Sequence, residues 1–259
     1  MGYKVTAVTG TNEGSLYDAI QKVNKGIYSS IEFDSSLDGQ TIQFPAGVSI
    51  EKPVTISGNV ILAGPAILSS ADVTLEPAGF ALSVQEQEEK AVYGIQVLKE
   101  SDSDVIFSNL KLSSFNGSIV ISGGYSEDDM NNSNAALKAG TIISDYWSVK
   151  GSSSIQMEGF HGSVKMDQGL ALYSGSTGSN MDFGAGDSRI TLGDFTGKIE
   201  IGTPLSYDQE NDEWSGGGAS KGIYAIGNTA AISVEELSGE IILYASEYKN
   251  GVCAIQARG

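Results

Sequence analysis

Apolar residues recur with period two along most of this chain, and with a helical period only once. Residues 3–8, Tyr-Lys-Val-Thr-Ala-Val, alternate polar and apolar, as a half-buried strand does. Leu16, Ala19, Ile20 and Val23 then fall at i, i+3, i+4 and i+7, with Asp18, Gln21, Lys22 and Asn24 opposite. That spacing predicts an amphipathic helix, with Ser15 as its N-cap and Gly26 as its stop. From Ile31 to Val84 period two returns in very short segments, such as Ile31-Glu32-Phe33, Val54-Thr55-Ile56 and Val73-Thr74-Leu75. Pro45, Pro53, Pro65 and Pro77 punctuate this stretch at intervals of 8, 12 and 12 residues. Each is expected at a corner or a strand start, because proline cannot donate to a ladder.

Beyond residue 90 a longer unit takes over. A phrase of Phe or Leu, any residue, Gly, any residue, then Ile or Val occurs four times. Its copies begin at Phe115, Phe160, Phe195 and Leu237, which lie 45, 35 and 42 residues apart. Self-similarity at such intervals marks stacked repeats rather than a closed globule. The glycine is expected to permit a corner that a β-branched residue would resist, with the aromatic packed beside it. A second phrase, Ala91-Val92-Tyr93-Gly94-Ile95, returns as Gly222-Ile223-Tyr224-Ala225-Ile226 and Gly251-Val252-Cys253-Ala254-Ile255. Between the two phrases lie short strands at Ile155-Gln156-Met157, Ile190-Thr191-Leu192 and Ile232-Ser233-Val234. Segments 123–134, 174–187 and 204–220 read as loops protruding from the repeats. A lone helix ahead of so many strands suits a cap over the open end of a stack.

Composition narrows the partners. There are 33 glycines in 259 residues, against an average usage of roughly 7%, so many tight turns are expected. With 32 acidic and 15 basic residues the net charge is −17, which disfavours nucleic acid and anionic lipid surfaces. No apolar run reaches the roughly 18 residues of a membrane span. One cysteine, Cys253, excludes an internal disulfide. No signal peptide is visible before Tyr3, so Met1-Gly2 could open a mature segment from which a leader was removed, and the strand-like run up to Gly259 reads as continuing beyond it.

The opening block Asn12-Glu13-Gly14-Ser15-Leu16-Tyr17-Asp18-Ala19-Ile20, with Ile31-Glu32-Phe33-Asp34, Leu37-Asp38-Gly39-Gln40-Thr41-Ile42 and Pro53-Val54-Thr55-Ile56-Ser57-Gly58, resembles the cap and first coils of bacterial exported β-helix proteins. These are the autotransporter passengers and polymorphic outer-membrane-protein-like adhesins. The resemblance covers residues 12–58, and the later repeats more loosely. It implies a cell-surface or secreted location and a glycan or protein partner.

Candidate chemistry is sparse. Asp187-Ser188-Arg189 could supply a lyase base, but reads as a solvated turn before the strand at Ile190. Asp128 and Asp129 sit in an Asn-rich insertion, away from the regular strands on which a hydrolase would align its carboxylates. His161 fills a repeat position taken elsewhere by Asn116, Thr196 and Ser238, which suits a polar corner residue. Cys253 occupies the slot of Tyr93 and Tyr224, as a packing residue would. Calcium is the one metal with a donor set, in Ser101–Asp104, Glu127–Asp129 and Asp208–Glu213, yet none has a recognised loop spacing. The aromatic residues Trp214, Tyr207, Trp147 and Tyr125 could stack on a sugar or anchor a partner.

These readings predict an all-β chain: a right-handed, single-stranded parallel β-helix (a β-solenoid) with an N-terminal capping α-helix. It forms one elongated domain over 1–259, with strand and cap at 1–30, short-strand coils at 31–90 and longer units at 91–259. A β-sandwich is the alternative if the Pro-punctuated strands pair antiparallel. The expected function is non-enzymatic, an adhesin or stalk at the bacterial surface. The alternative is a carbohydrate-active β-helix enzyme, either a polysaccharide lyase or a glycoside hydrolase.

Overall fold

The computed structural model describes residues 1–85, 91–101, 106–123, 133–143, 151–178, 186–209, 211, 213–227, 229–244 and 252–258. Strand β1 (Gly2–Val5) leads into helix α1 (Leu16–Asn24), whose Leu16, Ala19, Ile20 and Val23 are all buried. The Ser15 side chain accepts from the Asp18 amide at 3.2 Å, relieving one orphan donor of the first turn. Gly26, at φ +75°, donates to the Val23 carbonyl and Ile27 to that of Lys22, the paired bonds of a Schellman ending. The Tyr3 hydroxyl donates to Asp18 at 2.5 Å, and Lys22 pairs with the same carboxylate at 2.9 Å. Burial pulls the Asp18 carboxyl upward, but the bonds from Tyr3 and Lys22 outweigh it and leave it below its usual range.

Short strands follow: β2 (Ser30–Phe33), β3 (Thr41–Gln43), β4 (Ser49–Ile50), β5 (Val54–Gly64), β6 (Ile67–Ser69) and β7 (Val73–Gln85). The later passes contribute β8 (Tyr93–Ser101), β9 (Ile106–Phe115), β10 (Gly117–Ser122), β11 (Ala135–Ile143), β12 (Gly151–Phe160), β13 (Ser163–Met166) and β14 (Gly169–Gly178). Then come β15 (Asp187–Phe195), β16 (Lys198–Ile201), β17 (Thr203–Asp208), β18 (Glu213–Gly217), β19 (Ala219–Ile226), β20 (Thr229–Leu237), β21 (Glu240–Leu243) and β22 (Cys253–Arg258).

Among the described residues pairing is parallel everywhere except in the hairpin β17–β18. The antiparallel sandwich therefore does not describe this chain. A 13-stranded sheet has two arms that share β7. One arm runs β7-β9-β12-β15-β20 and the other β7-β10-β13-β16-β21. A seven-stranded sheet runs β22-β19-β14-β11-β8-β6-β4. Each pass visits the first arm, the second arm and then the seven-stranded sheet before pairing one step along the first arm again. One main apolar cluster draws residues from all three faces.

The repeat phrase marks where the arms meet. On β12 the buried positions are odd-numbered up to Gly159; from Phe160 they are even-numbered, through Val164 and Met166 on β13. The buried face thus changes phase at Phe160, and the chain turns a corner. Phe115, Phe160, Phe195 and Leu237 are consecutive partners in register. The Phe115 and Phe160 centroids are 4.9 Å apart and those of Phe160 and Phe195 4.8 Å, in stacked geometry. Phe80 extends the column one step earlier, 5.6 Å from Phe115. The three central rings are fully buried, each contributing roughly 1.5–3 kcal/mol by burial.

Three readings of the strands need revision. Pro77 lies inside β7, opposite Gly58 at a register shift, so the strand runs through it instead of starting or ending there. Tyr93, Tyr224 and Cys253 are not equivalent: Cys253 pairs with Lys221, in the row of Tyr93, whereas Tyr224 pairs with Tyr173 and Gln256. The expected loop at 174–187 also begins as strand, since β14 continues to Gly178.

The two ends of the stack differ. At one end α1 lies beside β1, β2 and β4. At the other, rows that are buried farther in become half-exposed. Ile190 is fully buried and its partner Ile232 only partly; Phe195 is fully buried and its partner Leu237 is 54% exposed.

Candidate functional site

The arms meet along a polar groove of about 550 Å³ on the outside of the Phe column. His161, Thr196 and Ser238 form one side, and Ser163, Lys198 and Glu240 the other, with Gly117, Gly162, Gly197 and Gly239 between them. The backbone explains why these residues line up. The Phe160 carbonyl accepts from both the Thr196 and Gly197 amides, and the Phe195 carbonyl from those of Ser238 and Gly239. The Gly162 and Gly197 carbonyls in turn accept from Lys198 and Glu240. Each corner is thereby locked to the one before it, and the residue after each Phe points outward.

His161 sits in this row as an exposed corner residue. Its Nδ1 is 2.9 Å from the Thr196 hydroxyl and 3.6 Å from Asp194 Oδ2. A hydroxyl–imidazole–carboxylate relay needs its two partners on opposite ring nitrogens. Here both approach the same nitrogen, so the trio orients the ring without forming a relay. On the opposite wall, Glu200 at 3.0 Å raises the Lys198 ammonium pKa above its ordinary range, with Glu240 at 4.0 Å.

The aromatic candidates are divided. Tyr125 and Trp147 lie outside the described residues. Tyr207, 43% exposed, is on β17, and the register of the hairpin sets it opposite Trp214 on β18. Leu205 on the same strand is 44% exposed. Asp187-Ser188-Arg189 is not a turn but the start of β15: Ser188 is buried and donates to the Ile226 carbonyl at 2.5 Å, while Asp187 and Arg189 face solvent. Cys253 is half-buried and its thiol donates to the Ile255 carbonyl at 3.2 Å. Of the calcium candidates, 102–104 and 127–129 lie outside the described residues, as do positions 210 and 212. Among the described residues no three His, Cys, Asp or Glu side chains gather as a metal site.

The sequence reading missed a group on the outer face of the seven-stranded sheet. Lys138, only 4% exposed, places Nζ 3.3 Å from the Tyr93 hydroxyl and over the rings of Tyr93 and Tyr173, 4.6 and 5.5 Å from their centroids. Lys221, on the same sheet, is equally buried, and desolvation lowers its pKa. The available signal was the run Ala135-Ala136-Leu137-Lys138-Ala139-Gly140, apolar at both parities, which marks a strand covered on both faces. Ser153, Ser174 and Ser188 form a second buried polar group, linked through hydroxyls at 2.9 and 3.3 Å.

No helix among the described residues is long and apolar enough to cross a membrane. No family model, no curated protein and no solved structure matches this chain.

Proposed function

We propose that the three faces close into a right-handed, single-stranded parallel β-helix capped by α1. We further propose that it serves as a non-enzymatic passenger segment, an adhesin or stalk, exported to the bacterial surface. The observation that carries this reading is the unbroken parallel register of Phe115, Phe160, Phe195 and Leu237, which makes the most repetitive part of the sequence a stacking device. A capped first edge and an acidic exterior suit an extended, soluble rod. An enzyme reading gains nothing from His161, because Thr196 and Asp194 crowd one ring nitrogen and leave no base–orienter pair.

The test is to label intact and permeabilised bacteria that produce the protein with an antibody against this segment. Labelling of intact cells, removed by external protease, is expected. Labelling only after permeabilisation overturns the reading.

A further inference from the structure

We propose that the corner groove binds a linear, uncharged polysaccharide laid along the stack; this rests on the adhesin reading above and gives it a ligand class. The groove crosses successive passes, so its backbone repeats along its length at the strand spacing of about 4.8 Å, and each of three passes sets a polar side chain on either side of a glycine. A ligand that itself repeats can meet each pass in the same way. The backbone amides of Thr196, Gly197, Lys198, Ser238, Gly239 and Glu240 are already bonded to the preceding corner. Recognition therefore falls to side chains.

Those side chains suit sugar hydroxyls. Ser163, Thr196, Ser238 and His161 each both donate and accept, which matches a partner whose every hydroxyl does the same. Among the described residues no apolar side chain lines the groove, so a lipid chain or an apolar peptide would bury little there. The ammonium of Lys198 is neutralised by Glu200 and Glu240, and the chain carries −17 overall. An anionic polymer is therefore repelled. The glycines contribute only backbone to the lining, which leaves the flanking side chains as the groove's recognition groups.

Isothermal titration of the whole chain with cellohexaose, xylohexaose and laminarihexaose, and with hexamannuronate as the anionic comparison, tests this. At least one neutral hexasaccharide is expected to bind saturably. Thr196→Val and Lys198→Ala are each expected to weaken it about tenfold, the scale of one lost hydrogen bond to a charged or well-placed group. Thr191→Val, on the first arm away from the groove, should leave it unchanged. Matching thermal melts and circular dichroism exclude misfolding as the cause. The inference is overturned if no neutral hexasaccharide binds, if hexamannuronate binds better, or if both groove variants bind as the parent does. Surface labelling with no hexasaccharide binding removes the groove and leaves the adhesin reading; binding without surface labelling does the reverse.

Discussion

The ring of Phe160 fills the space that a side chain on Gly197 would need: a Cβ there would stand 2.6 Å from its Cδ1. The same relation joins Phe115 to Gly162 and Phe195 to Gly239, at 2.7 and 2.6 Å. The aromatic and the glycine of the repeat thus act on different copies. Each aromatic packs beneath the glycine of the next phrase, and each glycine would also strike the carbonyl of the glycine before it. Gly117 alone among the four has a positive φ, of 102°. Close approach, not backbone freedom, is what Gly162, Gly197 and Gly239 supply.

Gly197→Ala should therefore destabilise the chain by about 3 kcal/mol, the upper range for overpacking a tight site. Chemical denaturation of Gly197→Ala, Phe160→Leu and the double variant closes a mutant cycle. The double variant should recover part of the loss, because the smaller side chain relieves the ring clash but leaves the carbonyl. Strictly additive losses would contradict the cross-phrase contact.

Position along the stack should set the cost of truncating equivalent residues. Phe160→Ala, at a fully buried ring, should lose about 3–5 kcal/mol. Leu237→Ala, at the 54% exposed end of the same column, should lose under about 1 kcal/mol. Equal losses would mean that the last pass is covered.

Acid should loosen the cap. Hydrogen bonds from Lys4 first, and then from the Ser36 amide, hold the Asp34 carboxyl well below its ordinary range. Asp18 is also depressed. A carboxyl lowered on folding contributes stability that is present above its unfolded pKa, near 4, and is lost as pH falls through the folded value. Melting temperatures measured from pH 7 to pH 2 should fall on the acid side. Asp18→Asn should flatten that fall; an unchanged slope would show that Asp18 carries none of it.

Lys221 should be replaceable at a profit in stability. Its ammonium is buried beside Cys253 and Arg258, with no ion pair among the described residues, and desolvation disfavours its charged form. Lys221→Met should raise the melting temperature at pH 7 by a few degrees, and the gain should shrink as pH rises and the parent lysine deprotonates. A lower melting temperature would show that the charge is used.

Much of the architecture was legible because its signals are local. The helix was predicted from Leu16, Ala19, Ile20 and Val23, and all four are buried. The stacking was predicted from the spacing of Phe115, Phe160, Phe195 and Leu237, which are register partners. Ile155, Ile190 and Ile232 likewise share one row. The groove was not legible, since its two walls come from either side of a corner and its members from successive passes. Lys138 was overlooked because one lysine in a strand reads as surface until the covering of its face is known.

The sequence by itself determined the period, the cap and the apolar rows, because alternation and helical spacing are properties of neighbouring residues. The tertiary structure decided what each glycine is for, which residues share a row, and where polar side chains converge. Those depend on contacts between residues some forty positions apart, whose register follows from packing one pass on the next.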